Sequence, residues 1–169
     1  MSDPMENNVF ISWCEVQEAC SKLVMKIGQS SEFPKVIVAI ANGGSVPAVI
    51  MSHAMGIREV LYVRATHYDD NGTRFPDVSV RLENSMWELG PEATVLIVDD
   101  IYDSGDTLHA VVNEIMAIRK SVPWRVMPKI ITATLFLREN ASIRETGLTH
   151  YGKIAKSGTW LVFPWEKTP

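Results

Sequence analysis

Four carboxylates, Asp99, Asp100, Asp103 and Asp106, directly follow an apolar run, Val95-Leu96-Ile97-Val98. Ser104, Gly105 and Thr107 are set among and just after the last two acids. Acids cannot hold a phosphate directly. They can take the hydroxyls of a sugar, or a divalent cation that itself meets phosphate. The loop they sit on supplies the rest. Between the end of a strand and the start of a helix, backbone N–H groups lack internal partners, and the helix dipole favours an anion there. Gly105 lets that loop take a positive φ or lets a ligand close in. The stretch reads as a site for a phosphorylated sugar.

The elements that must position these residues follow from the same chain. Val95 to Val98 has the unbroken branched character of a strand buried on both faces. After Thr107, Leu108, Val111, Val112, Ile115, Met116 and Ile118 recur at helical spacing, and His109 belongs to the surface of that helix. Near the start, Ser12-Trp13-Cys14-Glu15 has the spacing of a capping box. Val16, Ala19, Cys20, Leu23, Val24 and Ile27 continue it as a helix that stops at Gly28, with Trp13 as packing. Lys35 to Ile40 is the first buried strand, and a helix runs from Val46-Pro47 to near Gly56. Between them, Asn42-Gly43-Gly44 permits a strained turn with N–H groups facing a ligand. Taken alone, that turn is an ordinary strand-to-helix connection. Val60 to Ala65 is another strand, Asn71-Gly72 marks a hairpin turn, and Val78, Val80 and Leu82 alternate as a returning strand. Lys129 to Leu137 is the next buried strand, with Arg138 at its end. Alternating strands and helices argue an α/β domain with a mainly parallel sheet, its ligand loops at the carboxyl ends of the strands.

Composition bounds the function class. A length of 169 residues allows one domain, 1–169, with a sizeable core. A net charge of −4 gives no sign of a nucleic-acid polymer as partner. No apolar run approaches about 18 residues, so no membrane span is expected. Met1 to Asn8 carries no signal-peptide pattern. Cys14 and Cys20, on one helix, stand roughly 9 Å apart, beyond disulfide reach. Reduced thiols in a cytoplasmic protein are expected. His53, His67, His109 and His150 show no metal-ligand spacing with the cysteines, and no Gly-x-Gly-x-x-Gly follows a strand.

The run Asp99-Asp100-Ile101-Tyr102-Asp103-Ser104-Gly105-Asp106-Thr107, between its strand and its helix, resembles the phosphoribosyl-diphosphate (PRPP) motif of type I phosphoribosyltransferases. The bland alternative is a doubly wound domain with acids at its strand ends, such as a receiver domain. Two more segments carry the resemblance, and both look most like the bacterial xanthine–guanine branch. Asn42-Gly43-Gly44 is similar to the loop that grips pyrophosphate, and Thr159 to Glu166 is similar to the segment that reads the purine. The match is incomplete at one place. That branch has an arginine before the glycines, and here a neutral amide, Asn42, stands instead.

The resemblance implies a type I phosphoribosyltransferase fold: a mainly parallel five-stranded sheet flanked by helices. A small hood is formed mainly by about 138–169 with the N-terminal segment. It implies transfer of the 5-phosphoribosyl group from PRPP to a 6-oxopurine base, giving a nucleotide and pyrophosphate, with Mg2+, in nucleotide salvage. Asp99 and Asp100 would hold the sugar hydroxyls, partly through metal, and Asp103 would serve purine N7 as general acid/base. Asp103, Ser104, Gly105, Asp106 and Thr107 would bind the 5-phosphate, and Asn42, Gly43 and Gly44 the pyrophosphate. Trp160 would stack on the base, Leu161 would read it by its backbone, and Arg138 would face the 6-oxo group. Glu166 would join Asp99 and Asp100 at the metal. Tyr68 and Arg74 would belong to a flexible loop that closes over the reacting sugar. Relatives commonly form dimers or tetramers, so a homodimer or homotetramer is expected. Two alternatives stay open. Trp160 can instead be an edge or oligomer-contact aromatic, as Trp165 is read. The whole chain can be a PRPP- or nucleotide-binding regulatory protein with little or no catalysis, a reading Asn42 favours.

Overall fold

The computed structural model describes residues 7–68, 74–82, 94–120, 128–144 and 147–166. The chain opens with a short strand, β1 (Asn8–Phe10), and a helix, α1 (Trp13–Gly28). The expected capping box starts that helix. Ser12 Oγ accepts from Glu15 N at 3.2 Å, and the Glu15 carboxylate accepts from Ser12 N at 2.9 Å. The helix buries Val16, Ala19, Cys20, Leu23 and Ile27. Cys20 is buried and Cys14 exposed, both as free thiols. Next come β2 (Val36–Ala41) and α2 (Ser45–Met55), which ends on Gly56 at a left-handed φ of 69°. The remaining elements are β3 (Glu59–Tyr68), β4 (Arg74–Leu82), β5 (Thr94–Tyr102), α3 (Asp106–Lys120), β6 (Lys129–Arg138), β7 (His150–Ala155) and β8 (Trp160–Val162).

The main sheet has the order β4-β3-β2-β5-β6-β7. Five of its strands run parallel, and β4 adds a sixth, antiparallel to β3. β5 lies at the centre, between β2 and β6. Its alternation explains its unbroken apolar run. Leu96 and Val98 pack with α1 and α2 on one face, while Val95 and Ile97 pack with Leu108, Val111 and Ile115 of α3 on the other. The α/β class with a parallel-dominated sheet between helices therefore stands. Among the described residues, no helix is long and apolar enough to cross a membrane.

The stretch from about residue 138 onward, expected to form most of a hood, is divided. β7 joins the edge of the main sheet beside β6, and β8 pairs in parallel with β1 as a separate two-stranded sheet. Gly152 is the physical reason for the first half of that division. A Cβ there would come within 2.8 Å of both Leu135 O on β6 and Ala19 Cβ on α1. Without a side chain, β7 fits between its neighbour strand and the helix.

Candidate functional site

The carboxyl end of β5 holds the paired acids, and strand alternation sends them to opposite faces. Asp99 is buried, its Oδ1 accepting from Asp100 N at 3.0 Å. Burial, and then the neighbouring Asp100 charge, pushes its carboxyl well above the usual range. Asp100 faces the other way, towards Gly43 and Glu166. Burial, with a smaller contribution from the Glu166 charge, pushes it up to about 6. It lines a cleft of about 540 Å³ with Asn8, Asn42, Gly43, Trp160, Val162, Trp165 and Glu166.

The β2–α2 turn closes one side of this cleft. Positive φ is not what the glycines of this turn supply: Gly44 has an ordinary φ of −73°, and neither glycine of the turn has a positive φ. Close approach is what requires them. A Cβ on Gly43 would run into the Asp100 carboxylate, and one on Gly44 into Val98 O. The Ala41–Asn42 peptide is cis. The opposite side is made by chain ends. Trp160, 67% exposed, stands over the cleft, while the Leu161 side chain is buried. Trp160 N donates to Asn7 O at 2.9 Å, and Val162 O accepts from Ile11 N at 2.9 Å. By strand alternation, the N–H and C=O of Leu161 point away from β1. Trp165 is stacked on Phe163 at 4.8 Å and tilted against Trp13 at 6.0 Å. Glu166 is fixed by its own turn: its Oε2 accepts from Phe163 N at 2.9 Å.

A second cavity, of about 210 Å³, is lined by residues 99–108. Its loop opens α3, and Gly105 takes the positive φ, 81°, that the sequence allowed. A Cβ there would collide with the Tyr102 ring, which is buried under the loop. Ser104 Oγ donates to Asp106 Oδ2 at 2.8 Å, and Asp106 N donates to Ser104 Oγ at 3.3 Å. The Arg144 guanidinium pairs with Asp106. Sequence reasoning missed Arg144, which stands alone on a loop with no motif around it. Its only signal was the acid at position 106, in a loop suited to anions.

Arg138 reaches the loop before Trp160 and the acid Asp103. Its Nη1 donates to Lys156 O at 3.1 Å and Thr159 O at 2.9 Å, so it ties down the loop before Trp160. Its Nε lies 3.5 Å from Asp103 Oδ1. Tyr68 and Arg74 pair in register where β3 and β4 meet, at the same sheet edge as the carboxyl ends of β2 and β5. The Asn71-Gly72 turn lies outside the described residues, and so do the Tyr68 and Arg74 side chains. Among the described residues, no group of three or more His, Cys, Asp or Glu side chains is set to hold a metal. Of the three acids expected at a metal, Asp99 is buried and does not line the larger cleft, while Asp100 and Glu166 fit Mg2+. They are hard oxygen donors on one cleft, and this ion takes one or two carboxylates and fills its shell with water and substrate oxygens.

Known proteins resemble this chain in sequence and fold. The family model described as "Phosphoribosyl transferase domain" matches residues 12–165. The chain is 28% identical over 157 residues to a xanthine-guanine phosphoribosyltransferase of Idiomarina loihiensis, covering 93% of this chain and 86% of that one. It is 26% identical over 166 residues to the enzyme of that name from Cereibacter sphaeroides, covering 96% and 89%. The crystal structure of a purine phosphoribosyltransferase from Pyrococcus horikoshii matches with a TM-score of 0.73 at 26% identity, covering 96% of each chain. Since the family match takes in all three helices, the glycine turn and the acid-bearing loop, the chain belongs to the phosphoribosyl transferase domain family and is an enzyme of that class.

Proposed function

We propose that the enzyme transfers the 5-phosphoribosyl group of PRPP to N9 of a 6-oxopurine, guanine, xanthine or hypoxanthine, as a step of nucleotide salvage. One observation carries this reading: Asp100 borders both cavities. A phosphate in the 103–107 loop then leaves the ribose over the strand-end acids. The pyrophosphate falls against Asn42 to Gly44, and the base beneath Trp160. In the reaction the anomeric C–O bond to pyrophosphate breaks and a C–N9 bond forms. Pyrophosphate leaves with the bonding electrons, and the purine, reacting through N9 as its N7–H tautomer, gives up its N7 proton. Positive charge grows on the sugar as the bond breaks, and the Asp100 carboxylate is placed to offset it. Asp103, two-thirds exposed and beside Arg138, would act as the acid/base that takes the N7 proton. The outward N–H and C=O of Leu161 can pair with the base edge, and Trp160 can stack on its face.

No Lys or Arg lines the larger cleft among the described residues, and it carries two acids. Pyrophosphate there needs a counter-charge, which Mg2+ held by Asp100 and Glu166 would supply. Asn42 also keeps a second reading in play, a PRPP- or nucleotide-binding regulator with little turnover. The test is product formation by the purified protein with Mg2+, PRPP and each of guanine, xanthine, hypoxanthine and adenine. Nucleotide from at least one 6-oxopurine and none from adenine is expected. Tight nucleotide binding with no turnover, and no gain from Asn42→Arg, would favour the regulator. A cytoplasmic homodimer or homotetramer goes with the enzyme reading, and light scattering of the purified protein reads its size.

A further inference from the structure

Asp106 carries a charge that suits a helix start but not a phosphate ligand. It opens α3 in the loop assigned to a phosphate dianion, where its carboxylate takes up the positive field of the loop N–H groups and repels the ligand. Neighbouring groups answer that charge. The Arg144 guanidinium meets Asp106 Oδ1, and Ser104 Oγ donates to Oδ2 at 2.8 Å. The Arg144 side chain is partly exposed, but its backbone is held in place. Its backbone N donates to Tyr102 Oη at 3.4 Å, and its carbonyl accepts from Gly147 N at 2.8 Å. The same Tyr102 hydroxyl donates to Ser142 O at 3.2 Å, and the ring lies under Gly105. One buried phenol thus holds the phosphate loop and the loop bearing Arg144 in fixed relation.

We propose that Arg144 is a specificity residue for the 5-phosphate that acts through Asp106, cancelling a charge that would otherwise repel the ligand. The inference rests on the phosphoribosyl-transfer reading, from which it takes its ligand. An Asp106 charge left uncancelled would lower the preference for a 5-phosphorylated ligand over its dephosphorylated form. The base and ribose contacts do not depend on it.

The test compares GMP with guanosine by calorimetry at one ionic strength. Wild type, Arg144→Gln, Arg144→Lys and the double variant Asp106→Asn with Arg144→Gln are measured. Arg144→Gln should weaken GMP about tenfold, the scale of one unbalanced charge near a dianion at a partly exposed site. Guanosine affinity should not change, which also rules out misfolding as the cause. Arg144→Lys should keep most of the GMP affinity, because it keeps the charge. The double variant should return GMP to within about twofold of wild type, since the charge that needed cancelling is gone. An unchanged GMP-to-guanosine ratio in Arg144→Gln overturns the inference. So does a double variant as weak as Arg144→Gln, because Arg144 would then act on phosphate directly. Wild-type turnover separates the two levels. Without it the parent reading fails, whereas turnover with a flat ratio removes only the role of Arg144.

Discussion

At the scale of single residues, Asp100 bears the largest load. Its carboxyl is pushed from 3.8 up to about 6, mainly by burial and further by the Glu166 charge. A raised acid pKa means that the folded chain holds a proton which the unfolded chain has released. Stability from this group is therefore lost as pH rises from about 4 to 6, on the order of 2 to 3 kcal/mol in all. Asp99, raised by burial, acts in the same direction. Asp100→Asn cannot ionise. It should raise the urea midpoint at pH 7.5, leave it nearly unchanged at pH 4, and lower turnover about 100-fold or more. A variant less stable at pH 7.5 than the parent would contradict the account of this carboxyl.

At the scale of elements, the β2–α2 turn and β8 face each other across the cleft. The turn is built on close approach. A Cβ on Gly44 meets backbone, Val98 O, which cannot swing aside. Gly44→Ala should cost about 1–3 kcal/mol in urea unfolding and also raise the KM for PRPP, because the turn is displaced from Asp100. β8 contributes differently. Trp160 is exposed and its ring supports nothing in the core. Trp160→Ala should leave the thermal midpoint within about 1–2 °C and raise the KM for the base about tenfold, with the KM for PRPP little changed. Equal rises in both constants would argue against base stacking. Here the limits of reading from sequence show. The capping box at Ser12–Glu15 and the helical spacing of α1 and α3 act over a few residues, and the structure keeps them. β7 was hidden because His-Tyr-Gly-Lys-Ile-Ala has no unbroken apolar run and only Gly152 lets it enter the sheet.

At the scale of the whole molecule, one strand joins two cores to both cavities. Leu96 packs towards α1 and α2, Ile97 towards α3, and the acids of the same strand begin two residues later. Leu96→Ala should cost about 2–5 kcal/mol in urea unfolding, as a fully buried truncation does. At temperatures where the variant stays folded, the base preference should be unaltered, which a product assay across the four bases reads.

The amino-acid order alone determined the central strand, its acid-rich loop and the helix that starts there, because β alternation, capping and helix-end anion sites depend on neighbours close in the chain. From these the phosphoribosyltransferase family was recognisable. The tertiary structure alone decided which distant groups meet: Glu166 with Asp100, Arg138 with Asp103, Arg144 with Asp106, and β8 with β1. Those partners are separated by long stretches of chain. Closing the sheet between its helices brings them together, and no local pattern encodes how far the chain must travel to do so.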